Sequence, residues 1–521
     1  MVHEVKQMGT EKVNFDIAII GGGVTGCSIA RELSKYTIKA CVIEKNTDIG
    51  EGTSKANSGI VHGGFDAEPG SLKAKLNIEG AGSMAALSKE LDFPYKNNGS
   101  MVISITEDGL AVLEDLKARG EKNGVAGLEI ISGNKARVLE PNLSKAVKWA
   151  LHIPSSGIVC PFNLTVALGE NAAENGVEFF LNTEVLGIDK PTQTVGKDES
   201  CHKNNAGFYE IRTDKANIRA KMIINAAGVY GDFIHNMVAS NKEHLIARRG
   251  EYCLYDKKHG DFTERTIFQL PSKLGKGVLV TPTVHGNMMI GPNAFDIDGK
   301  EGNNTSKAGL DEIMDKARHS VEALPPRSGI ITSFAGLRAH SERDDFIIEN
   351  ALGCDNFIDV IGIESPGLSC APAIGPFVVE LVKKSMRMEE KPKGTWNGNR
   401  KGFTHMEEMT FEERAEIIAE DGRYGNIICR CESVSEGEII EAINRPLGAT
   451  TLDGIKRRVR GGSGRCQGGF CMPKVMEILA RELNVDVSDI HKSGNESQVI
   501  FGNIRDIDGV EQSREVENEN H

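Results

Sequence analysis

Along the chain, the clearest pattern is an apolar run from Ile17 to Ile20 that breaks on glycines and resumes as a helical repeat from Cys27 to Leu33. A second apolar run, Ala40 to Ile43, ends on Glu44. Short continuous apolar runs bounded by turn residues predict strands covered on both faces, so the opening reads as strand, helix, strand of an α/β layer. Towards the C-terminus the pattern changes to short amphipathic helices. Ser435 and Glu438 form an S-x-x-E capping box ahead of Ile439, Ile440 and Ile443. Pro473 fits the first turn of another helix, with Val475, Leu479 and Leu483 spaced along one face. Residues 386–424 are polar and charged, with one short helical stretch near 411–420, and read as a connector. Residues 186–206 read as a surface hairpin loop without chemistry. No run approaches about 18 consecutive apolar residues, so no membrane-spanning helix is expected.

Length and composition narrow this picture. A chain of 521 residues holds a large core plus one or two smaller units. The 39% apolar content and 58 glycines fit a globular α/β protein with many tight turns, and 5% aromatics disfavours a β-sandwich or barrel. A net charge of -13 offers no global field for nucleic acid. The first residues, MVHEVKQMGTEKVN, are polar and lack an apolar signal core, so a cytoplasmic location is expected.

The glycines after the first run carry chemistry. Gly21, Gly23 and Gly26 spell G-x-G-x-x-G between strand and helix. The first permits the tight turn, the second lets backbone approach a pyrophosphate, and the third lets helix and strand pack closely. The helix N-terminus offers free N–H groups to phosphate. Glu44, at the end of the second strand, is placed to accept from ribose hydroxyls. The motif alone does not separate NAD from FAD, although its position at the N-terminus favours FAD.

Further segments carry a resemblance. Residues 50–76 (GEGTSKANSGIVHGGFDAEPGSLKAKL), 155–168, 221–234, 333–349 and 361–375 occur in an order similar to that of the D-amino-acid-oxidase-like flavoproteins. Within these the chain resembles the branch holding glycerol-3-phosphate and L-2-hydroxyglutarate dehydrogenases. The resemblance implies a Rossmann-like FAD domain assembled from separated segments, with an inserted antiparallel-sheet substrate domain. It places Ala226, Ala227 and Gly228 along the FAD phosphates, Val185 at the adenine, and Thr53, Ser54, Asn57, Ser58 and Gly59 along the flavin. It also implies that Gly362 to Leu368, including Gly367, present N–H groups to the flavin's pyrimidine end, where reduced flavin is anionic. His62 is implied as the base for a substrate hydroxyl, with a flavin-supporting role as the alternative. Arg338 matches the family's anion-binding arginine, a structural salt bridge being the alternative. Ser365 is implied near the same pocket. Lys273 or Lys276 is a candidate second anion contact, as are Arg248 and Arg249. Residues 53–65 depart from many glycerol-phosphate enzymes, which carry an arginine where this chain has Phe65-Asp66.

Eleven cysteines are present, and seven of them (Cys27, Cys41, Cys160, Cys201, Cys253, Cys354, Cys370) are scattered and read as reduced, structural thiols. The other four form C-x-C at Cys429 and Cys431 and C-x4-C at Cys466 and Cys471, with 34 residues between the pairs. Four thiolates are what a [2Fe-2S] cluster requires, and the tight C-x-C counts against zinc without excluding it. An emptied relic is the third reading. Glycines 461, 462, 464, 468 and 469 let backbone amides approach the sulfurs. The stretch resembles the bacterioferritin-associated-ferredoxin-like [2Fe-2S] domain, in the version fused to large subunits of anaerobic glycerol-3-phosphate dehydrogenases. Lys456, Arg457, Arg458, Arg460 and Arg465 lie in the same region and read either as a solvated basic loop or as a docking patch for an acidic electron-accepting partner.

The expected organisation is an oxidoreductase of interleaved FAD and substrate subdomains over 1–385, a linker over 386–424, a helical [2Fe-2S] domain over 425–492, and an acidic tail over 493–521. The expected activity is FAD-dependent oxidation of sn-glycerol 3-phosphate, with electrons passing through the cluster to a partner subunit. That partner is a second flavoprotein or a membrane-associated quinone reductase component. The alternatives are a 2-hydroxyacid dehydrogenase, an amine or proline dehydrogenase subunit, and a binding module that has lost its substrate.

Overall fold

The computed structural model describes residues 13–191, 207–271 and 277–502. These form two compact units that divide at Gly402 and Phe403.

In the first unit, the strand Val13–Ile20 lies between Ala40–Ile43 and Asn217–Asn225, parallel to both. Glu178–Phe180 and Phe357–Ile361 extend the parallel core on either side. Tyr209–Thr213, Val185–Asp189 and Ile347–Asn350 complete an eight-stranded sheet through antiparallel pairs. The apolar run at the start of the chain is explained by burial on both sides. Ile17 and Ile19 pack with Ile29, Leu33 and Val378, whereas Phe15, Ala18 and Ile20 pack with Ile234 and Val238. Each such side chain removed from water contributes about 1.5–3 kcal/mol. The helix Val24–Leu33 is pinned to the helix Gly367–Ser385 by Ser28 Oγ, which donates to Ala371 O at 2.6 Å.

A second sheet of nine strands is gathered from residues 100–153 and 245–341. Its long pair, Leu245–Tyr255 against Ile330–Ser341, is antiparallel, and one junction, Thr266–Gln269 beside Ser100–Ser104, is parallel. The sheet is therefore mixed, because these two strands arrive from distant parts of the chain and not through a hairpin. Its own core holds Met101, Ile131, Cys253, Ile267, Val280 and Ile290.

The stretch 386–424 does not run free between the units. Up to Gly402 it folds onto the first: Trp396 Nε1 donates to Ser34 Oγ at 3.0 Å, Asn397 N to Asn175 Oδ1 at 2.9 Å, and the Arg400 guanidinium pairs with buried Glu170. From Phe403 it belongs to the second, where Thr404 N donates to Glu441 Oε2 at 3.0 Å and Met406 N to Glu438 Oε1 at 3.2 Å. A polar composition hid both attachments, since hydrogen bonds join only scattered apolar anchors, Met386 and Met388 on the first unit and Phe403 and Met406 in the second. The helix Phe411–Glu420 stands where the sequence pattern puts it, opened by a capping box of Thr410 and Glu413.

The second unit holds a short hairpin, Ile427–Cys429 with Val434–Ser435, followed by the helices Glu436–Ile443, Leu452–Val459 and Met472–Leu483. The Ser435–Glu438 capping box is present, and Pro473 lies in the first turn of the last helix. Ile439, Ile443, Ile455, Val459, Val475 and Leu479 fill the core. Among the described residues no helix is long and apolar enough to cross a membrane. The acidic tail lies outside them from residue 503, as do most of the expected loop 186–206 and Cys201.

Candidate active site and metal centre

A cavity of about 930 Å³ runs through the first unit, from the edge of the parallel sheet to the second sheet. Its sheet end is built mainly from backbone. The turn after Val13–Ile20 is so tight that a Cβ on Gly26 would fall 1.9 Å from Gly21 O, and one on Gly21 would fall 2.4 Å from Ala226 O. The helix that follows has Gly23 as N-cap, which offers no capping side chain of its own, and its first residues Val24 and Thr25 line the cavity. Ser54 Oγ accepts from Val24 N at 2.9 Å and joins this end to the loop Thr53–Gly59. In that loop Asn57 Nδ2 donates to Thr53 O and Ser54 O, and its Oδ1 accepts from Gly59 N.

Glu44 ends its strand on the cavity wall, with Oε2 accepting from Gly22 N at 2.7 Å and Oε1 from Asn46 N at 2.9 Å. Burial pushes its carboxyl above the usual range, against those hydrogen bonds. Oε1 also accepts from Asn46 Nδ2 at 2.7 Å, so the second lone pair of Oε2 is the capacity left for a sugar hydroxyl. Val185, Ala226, Ala227 and Gly228 line the same end, and Thr53, Ser54, Asn57, Ser58, Gly59, Gly367 and Leu368 line the middle. Gly26 and Gly362 are not in the wall. Gly26 backs the turn, and Gly362, at φ 67°, precedes the lining run that starts at Ile363. The helix Gly367–Ser385 also begins at the wall without a side-chain cap, so two helix N-termini face one cavity. An elongated slot with amides at one end and a second positive dipole midway fits a dinucleotide flavin.

Beyond the middle lie the groups that carry chemistry. His62 is 8% exposed and lies against Phe268 with ring centroids 5.6 Å apart. Its Nε2 is 3.4 Å from Ser365 Oγ, and its backbone N donates to Ser369 Oγ at 2.8 Å. Arg338 and Arg248 are direct cross-strand partners on the long antiparallel pair and both reach the cavity. They are not equivalent. Arg248 forks onto Asp296 with contacts of 2.6 and 3.1 Å, and this pairing holds the Asp296 carboxyl below its usual range. Arg338 donates to Asn293 O at 3.1 Å and has no carboxylate in ion-pair reach among the described residues. Its charge is available to an anion. Arg249, one position along the strand, points the other way and bonds Glu251 and Asn304. Lys273 and Lys276 lie outside the described residues.

Three contributors were not legible in sequence. Ser369 secures the His62 backbone while donating to Ile60 O. Gly250 leaves room for Arg338, since a Cβ there would fall 2.5 Å from its Nη2. Glu364, also on the wall, accepts from Lys73 Nζ at 2.9 Å and lies 3.1 Å from His340 Nδ1. Burial would raise the Glu364 carboxyl, but Lys73 and His340 outweigh it and hold it below the usual range. Glu364 and Ser369 lie in the family-like segment 361–375, but their roles were not readable there, because each works through a partner remote in sequence.

In the second unit the four C-terminal cysteines come together. Cys429 Sγ lies 3.9 Å from Cys431 Sγ, which lies 3.9 Å from Cys466 Sγ, and Cys471 hydrogen-bonds Cys429. That neighbour lowers the Cys471 thiol, and the Phe470 backbone N–H lowers Cys466. The glycine-rich stretch brings amides to sulfur as its composition implies, with Gly462 N–H on Cys429 and Gly468 N–H on Cys466. A Cβ on Gly464 would fall 2.6 Å from Cys431 Sγ. The two cysteine pairs thus bring four sulfurs together, the number that a [2Fe-2S] cluster takes at two per iron.

The basic stretch beside them divides: Arg465 is exposed, whereas the others are engaged within the unit. Arg457 and Arg458 are buried, Arg460 pairs with buried Glu432 at 2.7 Å, and Lys456 donates to Gln467 Oε1 at 2.9 Å. The helix Leu452–Val459 turns these side chains inward, where Arg458 caps the carbonyls of Gly454 and Leu447.

Known proteins match both units. Residues 16–381 match the family described as FAD dependent oxidoreductase, and residues 427–481 match the BFD-like [2Fe-2S] binding domain. The chain is 49% identical to a glycerol 3-phosphate dehydrogenase of Caloramator mitchellensis over 488 residues, 94% of this chain and 98% of that one. It is 33% identical to a glycerol 3-phosphate oxidase of Mycoplasma genitalium over 390 residues, 74% of this chain and 97% of the oxidase. The solved structure of dithionite-reduced L-alpha-glycerophosphate oxidase from Mycoplasma pneumoniae with FAD bound superposes with a TM-score of 0.68 at 31% identity, covering 74% of this chain and 98% of that one. With the slot for a dinucleotide flavin and the four converging thiols already in place, these matches establish the chain as a member of the FAD dependent oxidoreductase family that carries FAD and, in its second unit, a [2Fe-2S] cluster.

Proposed function

We propose that the protein oxidises sn-glycerol 3-phosphate to dihydroxyacetone phosphate, and that the electrons leave through the cluster to a protein acceptor and not to oxygen. The observation that carries the substrate is Arg338, an arginine without a carboxylate partner among the described residues, in the same cavity as His62. Its planar fork suits a phosphate, and His62 at the other end of a three-carbon substrate takes the C2 hydroxyl proton. Ser365 Oγ, 3.4 Å from His62 Nε2, orients the ring. Lys273 is a candidate second contact to the phosphate. Bound FAD supplies the hydride acceptor for the C2 hydrogen.

The dehydrogenase relative spans nearly the whole chain, whereas the oxidase relative spans 74% of it, 26% less than the full length. An additional cluster domain supports an acceptor other than oxygen. The six buried thiols outside the cluster among the described residues suit a reducing, cytoplasmic setting.

The test is anaerobic absorbance of the fully loaded protein, titrated with glycerol 3-phosphate and then with L-2-hydroxyglutarate. Bleaching of the flavin and cluster bands by glycerol 3-phosphate is expected, and bleaching by hydroxyglutarate alone would overturn the substrate. His62→Asn is expected to slow flavin bleaching by about 10²–10⁴-fold with flavin still bound. An unchanged rate would remove His62 as the base.

A further inference from the structure

The second unit presents its cluster unevenly. Cys429 and Cys471 are 1% and 3% exposed, whereas Cys431 is exposed and Cys466 half-buried. One edge of the four-thiol group therefore faces solvent. Next to it stands Phe470, 88% exposed, the most exposed large apolar side chain among the described residues. Arg430 and Arg465 adjoin those same two cysteines in sequence and are exposed. Neither makes a hydrogen bond or ion pair among the described residues, unlike Arg457, Arg458 and Arg460, which are spent inside the unit. Two free positive charges are kept at the cluster edge of a chain whose net charge is -13.

We infer that this edge, formed by Arg430, Cys431, Arg465, Cys466 and Phe470, is the docking face for an acidic one-electron carrier protein. The inference rests on the reading that electrons leave through the cluster, and it names the surface and the partner's chemistry. Charge complementarity selects the occupant: free arginines steer an acidic surface and repel a basic one. Phe470 supplies the apolar contact that arginine-rimmed interfaces use as an anchor. Electron-transfer encounters are small and weak, so one aromatic and two charges form a proportionate site. The exposed sulfurs let the carrier approach the metal without displacing protein. Each substrate molecule oxidised releases two electrons, and each carrier takes one, so two carriers are reduced in succession at this face.

The test uses the full chain with both cofactors loaded and flavodoxin as the acidic probe. Wild-type binding, measured by biolayer interferometry, is expected to weaken as ionic strength rises from about 50 to about 500 mM, where screening shortens to a few ångströms. R430E/R465E is expected to bind flavodoxin about tenfold or more weakly with little salt dependence, and Phe470→Ala to bind more weakly at every salt concentration. Reduction of cytochrome c, a basic carrier, should rise in the charge-reversed variant. Unchanged flavodoxin binding in both variants would overturn the surface. Slower reduction of the cluster by the protein's own flavin in R430E/R465E would also overturn it, because the face would then serve the internal transfer. The exit route is tested separately with Cys431→Ser: flavodoxin reduction at the wild-type rate without a cluster would sink that route, whatever the docking variants show.

Discussion

The flavin cavity and the cluster site solve the same problem with opposite materials. The flavin end is made largely of backbone, from segments near residues 21, 53, 185, 227 and 363. It works because a sheet brings those segments to one edge and because glycines permit contacts that no side chain could share. The cluster site is made of four side chains within 43 positions, held by a hairpin and two helix starts. Backbone sites tolerate loss of a lining side chain but not gain of a Cβ. The cluster site also excludes a Cβ at Gly464, but unlike the flavin end it cannot lose a lining side chain.

The strongest challenge to this contrast is removal of one buried ligand. Cys429→Ser is expected to abolish the iron–sulfur absorbance altogether while flavin bleaching by substrate persists. A cluster retained with three thiols would show that the site depends less on its side chains than proposed. The converse test is Gly26→Ala, whose methyl would fall 1.9 Å from Gly21 O. FAD affinity should fall by about 10²-fold or more, seen as flavin released on ultrafiltration, while Ser58→Ala should keep its flavin.

A smaller effect separates the two arginines. Arg338→Met is expected to lower kcat/KM for glycerol 3-phosphate by about 10²–10³, the equivalent of about 3–4 kcal/mol for a charge-assisted fork. Arg248→Met should cost about tenfold or less, since Asp296 already takes its charge. Equal losses would mean that both bind the anion. Smallest is a stability effect that depends on pH. Glu364 is held below the usual carboxylate range in the folded protein, so its contribution is present above the ordinary glutamate pKa of about 4.3 and is lost as pH falls through the lower folded value. Glu364→Gln should therefore destabilise by about 1–3 kcal/mol at neutral pH, with the difference from wild type closing in acid, as read by chemical denaturation.

Much of this was readable from sequence where the governing contacts are local. The turn Gly21–Gly26, the Ser435–Glu438 cap, the helix at 411–420 and the thiol spacing depend on neighbours within a few residues, and the structure has each of them. The cluster domain's amphipathic helices are legible for the same reason. Which of Arg248, Arg249 and Arg338 keeps a free charge was not legible. That depends on strand alternation and on Asp296, which reaches Arg248 only across the sheet. The basic run at 456–465 left two readings open because composition reports charge and not direction, and the helix there turns Arg457 and Arg458 into the core while Arg465 stays exposed. The sequence by itself thus determined a dinucleotide turn and a four-thiolate site, since both are short-range geometry, and its resemblance to known families named the two cofactors. Only the tertiary structure decided which charges line the cavity unpaired and which are spent on a carboxylate, because a charge is free or spent according to partners that folding, and not spacing, brings near.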